Sequence, residues 1–156
     1  NFPKENVMAL RKIIYNEIDN YYKKFREQDC TFLNDWPDQK KIKGWHVVLK
    51  EQGYNTMHIH QDGWLSGVIY LKVVPPLDKD EGAIKFSLGN PKFPDVVAPE
   101  VIYNPNVGDI VLFPSSLYHE TIPFSTNDER IIVSFDLMPK QNQKISHQSI
   151  VKNHSA

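Results

Sequence analysis

The chain reads as an all-β core, a barrel or jelly roll, with one helix at its N-terminal end. Three observations point there. Residues 5–26 carry the one clear three-and-four spacing of apolar side chains. From Gly44 to Leu137 the apolar pattern repeats every second residue instead, in short runs broken by Pro and Gly. After residue 30 there is no helical crossover of the kind a parallel sheet requires.

Each element follows from local pattern. Val7, Leu10, Ile14, Ile18, Tyr21 and Phe25 form one stripe, which predicts a helix packed on a sheet. Residues 27–43 are polar and contain Pro37, so they predict a loop, with Trp36 on the core or lining a cleft. In the first strand Trp45, Val47 and Leu49 alternate with His46, Val48 and Lys50, and His46 reads as structural. Residues 51–55 form a turn, and a second strand carries Thr56 to Asp62. Gly63 permits a reversal into Ser66–Val74, where Ser66, Val68, Tyr70 and Lys72 share one face. Pro75 and Pro76 end that strand, and Trp64 covers the barrel mouth or anchors the turn before it. Short strands at 83–87 and 101–104 flank a Pro-rich excursion at 89–99. The turn at 105–109 leads into the buried run Ile110–Phe113. The last strand, Arg130–Leu137, puts Ile131, Val133, Phe135 and Leu137 on one face and Arg130, Ile132, Ser134 and Asp136 on the other. Residues 1–140 make a single domain, and 141–156 a loose polar tail with His147 and His154 solvated.

Composition narrows the function. The 156 residues suit one domain with a real core, and a formal net charge of -1 speaks against nucleic acid or a membrane surface as partner. The single cysteine, Cys30, cannot form an internal disulfide and fits a reducing, cytoplasmic compartment. No apolar run is long enough to span a bilayer and no signal peptide is visible. The chain begins at Asn1 rather than Met, as a trimmed chain or a domain of a longer protein would. Ser115 and Ser116 lack the elbow that marks a serine nucleophile.

The informative stretch is Thr56 to Leu71. In an extended segment His58, His60 and Asp62 point the same way, and ligand-type side chains on one face suggest a metal. His119 and Arg130 stand eleven residues apart around a polar turn, so a hairpin brings them together. Imidazoles and a carboxylate on one triangular face, with other positions open, suit Fe(II). A guanidinium can grip the far carboxylate of a dicarboxylate. Tyr70 and Ser134 are placed to add hydrogen bonds to it.

Four blocks carry a family resemblance: Gly53-Tyr54 with His58-x-His60, Leu65 to Leu71, Gly108 to Ser115 with His119, and Arg130 with Ser134-Phe135. In that order, over about residues 44 to 138, the chain resembles the 2-oxoglutarate/Fe(II)-dependent oxygenases. It is most similar to the group found in marine bacteria and phages and at the end of some tetratricopeptide-repeat proteins, which is related to the prolyl hydroxylases. The resemblance implies a double-stranded β-helix (jelly roll), Fe(II), and 2-oxoglutarate as cosubstrate. It implies His119 as the distal iron ligand, Arg130 as the 2-oxoglutarate anchor and Tyr70 as its helper. One departure stands out: the superfamily has His-x-Asp or His-x-Glu where this chain has His58-x-His60. One register makes His58, His60 and His119 the ligands, with Asp62 binding from outside or orienting an imidazole. The other makes His60-x-Asp62 the pair and leaves His58 behind it. We prefer the first.

The expected activity is that of a dioxygenase hydroxylating a C–H bond of an unidentified substrate while 2-oxoglutarate becomes succinate. Two competitors stand beside it: a cupin-type metalloenzyme without an oxoacid, and a non-catalytic binding module of a larger protein.

Overall fold

The computed structural model describes residues 3–38, 40–50, 52–93 and 97–139; the tail predicted beyond residue 140, with its two histidines, lies outside them. The apolar stripe becomes helix α1 (Lys4–Phe25), with Ile14 and Ile18 buried. A short helix, α2 (Thr31–Asn34), interrupts the expected loop. Among the described residues seven strands follow: β1 (Lys40–Leu49), β2 (Leu65–Lys72), β3 (Ile84–Ser87), β4 (Glu100–Tyr103), β5 (Ile110–Pro114), β6 (Tyr118–Thr121) and β7 (Arg130–Pro139). They form two antiparallel sheets, β1-β7-β2-β5 and β4-β3-β6. This is the double-stranded β-helix expected from the sequence.

Alternation along β2 and β7 divides the interior. Leu65, Ile69, Phe135 and Leu137 face outward from the larger sheet and pack with Ile14 and Ile18 of α1. Val68, Tyr70 and Ile132 face the other way and pack with Ile84 and Phe113 between the sheets. Gly67 lies opposite Phe135 in the ladder, and a Cβ there would run into the Phe135 ring. The glycine therefore gives the aromatic ring its place in the outer core. Trp36 packs on that core, stacked on Tyr22 at 5.0 Å, and Trp64 is an anchor stacked on Phe32 at 5.6 Å rather than a cover for the barrel mouth.

Two expectations about the site need correction. Thr56 to Asp62 is not a regular strand. It makes one bridge, with His58 and His119 exchanging backbone hydrogen bonds of 3.0 Å in both directions. The chain then leaves the smaller sheet, and Trp64 N–H donates to Leu137 O of the larger one at 2.8 Å. A segment that changes sheets has no single neighbour to ladder with. Nor do His119 and Arg130 meet in a hairpin, because β6 pairs with β3 in the smaller sheet while β7 pairs with β1 and β2 in the larger. They face each other across the space between the sheets.

Candidate metal centre

His58 and His60 come from the sheet-crossing segment and His119 from β6. One ring nitrogen of each lies within 4.8 Å of the other two. The ring centroids are 4.3 to 5.2 Å apart. Backbone pairing explains the convergence: the His58–His119 bridge fixes two rings side by side, and His60 N–H, donating to Ser115 O at 2.9 Å, fixes the third.

The outer nitrogens decide the tautomers. His58 Nδ1 lies 2.6 Å from Thr56 O, His119 Nδ1 3.0 Å from Leu117 O, and His60 Nδ1 2.6 Å from Asp136 Oδ1. Each acceptor calls for Nδ1–H, so in the neutral ring the lone pair lies on Nε2. His58 Nε2 and His60 Nε2 face each other at 3.3 Å. Two such nitrogens need a shared proton or a cation between them, and with a third imidazole beside them the trio fits a metal. Burial, aided by the neighbouring imidazoles, pulls the His119 pKa down from 6.5 to about 4, so this ring is a neutral donor at ordinary pH.

Asp62 does not join the trio. Gly63 N–H donates to His60 O at 3.1 Å, and the reversal leaves Asp62 exposed on the turn. The carboxylate that orients an imidazole is Asp136, from the inner face of β7. Ser66 Oγ–H donates to the same Asp136 Oδ1 at 2.7 Å, and Ser115 Oγ lies 2.8 Å from Ser66 Oγ. The sequence placed Asp136 and Ser66 on the correct faces, but only the fold connects them. Trp45 is a further addition, with its ring 5.6 Å from that of His60.

The trio opens into a cavity of about 140 Å³ between the sheets. Its walls include Val47, Val68, Ile84 and Ile132, and Arg130 and Ser134 also line it. Arg130 is 1 % exposed, and among the described residues its Nε and Nη1 have no hydrogen-bond partner. Tyr70 is 0 % exposed, its hydroxyl equally without a partner, and the Arg130 guanidinium carbon sits 5.1 Å from its ring centroid. Burial lowers the Arg130 pKa from its ordinary value, yet a guanidinium remains charged at neutral pH. Burial also pushes the Tyr70 phenol up to about 12, so it is a donor. A buried cation and a buried phenol with unused donors are costly without an anion to receive them. The pair fits a carboxylate.

A family model described as "Putative 2OG-Fe(II) oxygenase" matches residues 43–136, more than half of the chain. The chain belongs to this 2OG-Fe(II) oxygenase family. The match runs from β1 to Asp136, so it contains every residue of the centre. Solved structures share the fold of this oxygenase-family chain. A prolyl-4-hydroxylase from Pseudomonas putida is 18 % identical over 64 % of this chain and 52 % of its own, with a TM-score of 0.52. A 2OG-Fe(II) oxygenase family oxidoreductase from Burkholderia pseudomallei is 16 % identical over 68 % and 48 %, also at 0.52. HygX from Streptomyces hygroscopicus, solved with nickel and 2-oxoglutarate bound, is 12 % identical over 77 % and 65 %, again at 0.52. The chain spans about half the length of the first two. No curated protein matches it. Among the described residues, no helix is long and apolar enough to cross a membrane.

Proposed function

We propose that this chain is an Fe(II)- and 2-oxoglutarate-dependent dioxygenase that hydroxylates a small-molecule or protein substrate. The observation that carries the reading is a coincidence in one cavity. Ring nitrogens of three imidazoles come within 4.8 Å of one another, and a buried guanidinium whose Nε and Nη1 have no partner among the described residues lines the same small space. A cupin-type centre without an oxoacid would account for the histidines but leave Arg130 and Tyr70 unexplained.

His58, His60 and His119 would hold iron through Nε2. When bound, iron and 2-oxoglutarate supply the oxidising chemistry, in which oxygen converts the cosubstrate to succinate and CO2 and hydroxylates a substrate C–H bond. The chain's own residues bind and orient. Arg130 would take the distal carboxylate with its unpartnered N–H groups, Tyr70 would donate its hydroxyl, and Ser134 would add a third donor. Val47, Val68, Ile84 and Ile132 keep water from the walls and strengthen those charge contacts.

The test is anaerobic addition of Fe(II) and 2-oxoglutarate, followed by oxygen and a succinate assay. A visible charge-transfer band that vanishes in Arg130→Ala, together with succinate formation, is expected. Iron bound by the folded chain with no band on adding the oxoacid would defeat the proposal.

A further inference from the structure

The three imidazoles are neutral ligands, and each has a different acceptor behind it. His58 and His119 donate Nδ1–H to backbone carbonyls, of Thr56 and Leu117. His60 alone donates to a charged group, Asp136, at 2.6 Å. Asp136 is 7 % exposed, and among the described residues its only ion-pair partner is His60. Its other contact is the neutral hydroxyl of Ser66. A buried carboxylate of this kind needs a compensating positive charge. The nearest place for one is the far side of the His60 ring, where Nε2 faces His58 Nε2.

We propose that Asp136 supplies, from behind His60, the negative charge that a directly ligating carboxylate would give the metal. Two imidazoles and a carboxylate leave a divalent ion with one net positive charge. Three imidazoles leave it with two, and Asp136 restores the balance one ring farther out. The Ser115–Ser66–Asp136 chain of hydroxyls holds the carboxylate in line with the ring. Asp136 is thus a positioning and charge-setting residue, not a ligand. This rests on His58, His60 and His119 being the metal ligands.

The experiment uses Co(II) as the probe, titrated into the whole chain in competition with a chelator and followed by visible absorption. Azide is then titrated into the Co(II)-loaded protein. Asp136→Asn keeps an acceptor for His60 Nδ1–H and removes only the charge. It is expected to weaken Co(II) by about 10–100-fold and to strengthen azide, because the loaded centre gains a unit of positive charge. Ser66→Ala disturbs the same buried network but leaves the charge, and is expected to change both far less. General loosening of the site would instead weaken metal and azide together. Unchanged Co(II) affinity in D136N, azide binding that does not tighten, or an S66A loss as large as that of D136N would each overturn the inference. If D136N does not fold, Asp136→Ser takes its place with the same readings. Failure of the unaltered chain to bind Co(II) is a different outcome, and it defeats the ligand assignment itself.

Discussion

Tyr70 and Arg130 sit together in the interior, the guanidinium carbon 5.1 Å from the ring centroid, and neither completes its hydrogen bonds. Tyr70 comes from the inner face of β2 and Arg130 from the first position of β7. Their contact costs stability in the empty protein and becomes favourable when an anion arrives. Arg130→Met should therefore raise the thermal midpoint of the metal-free chain, by on the order of 1 kcal/mol in stability, while abolishing the 2-oxoglutarate charge-transfer band. Tyr70→Phe should leave stability unchanged or slightly higher and weaken the oxoacid. A lower midpoint in R130M would mean that the guanidinium has a structural partner.

Metal should stabilise the fold through the three histidines. Co(II) at about a hundred times its dissociation constant should add about 2.7 kcal/mol, and a chelator should reverse the gain. His58→Ala should remove the stabilisation while keeping the double-stranded β-helix. Asp62→Ala should preserve it, because that side chain is exposed on the turn. Thermal unfolding with and without metal reads both, and an Asp62→Ala chain that no longer responds would return Asp62 to the ligand set.

The buried His119 ring makes the metal-free chain sensitive to acid. Its pKa is held near 4 in the fold against 6.5 for an exposed imidazole. Between those values the unfolded chain takes up a proton that the folded chain refuses. The stabilising contribution is complete above pH 6.5, declines as pH falls toward 4, and levels off below. Urea midpoints of the metal-free protein should follow that course. His119→Gln should flatten the slope in this window, and identical slopes in the two proteins would refute the assignment.

Gly67 is required by packing, not by backbone conformation. A methyl group there would enter the Phe135 ring, which is fully buried in the outer core beneath α1. Gly67→Ala should destabilise by about 1–3 kcal/mol, measured by denaturant unfolding. Pairing it with Phe135→Leu should recover part of the loss, because the smaller side chain makes room. No recovery would show that the clash is relieved by backbone movement instead.

The larger sheet was legible because its strands are half-buried on two unlike sides. Arg130, Ile132, Ser134 and Asp136 alternate with Ile131, Val133, Phe135 and Leu137, and the structure turns the two sets to opposite sides of β7. Period-two reading works where each face has its own environment. It fails at Thr56 to Asp62, where ligand side chains alternate in a segment that joins no ladder. His58 bonds to β6, His60 to Ser115 O just after β5, and Trp64 beyond them to β7. His119 and Arg130 form no hairpin for a related reason. A turn of polar residues looks the same whether it joins neighbours in one sheet or carries the chain between two.

By itself, the sequence determined which residue types exist to do chemistry and how each strand divides into faces. Those are properties of short segments: the alternation of side chains, the helical stripe, and the His-x-His spacing. Only the tertiary structure decided that His119 joins His58 through a single bridge, that Asp62 turns outward, and that Asp136 stands behind His60, seventy-six residues away. Contacts across such separations depend on which strands share a sheet. Pairing of that kind is a property of the closed fold, where many weak local preferences are settled together.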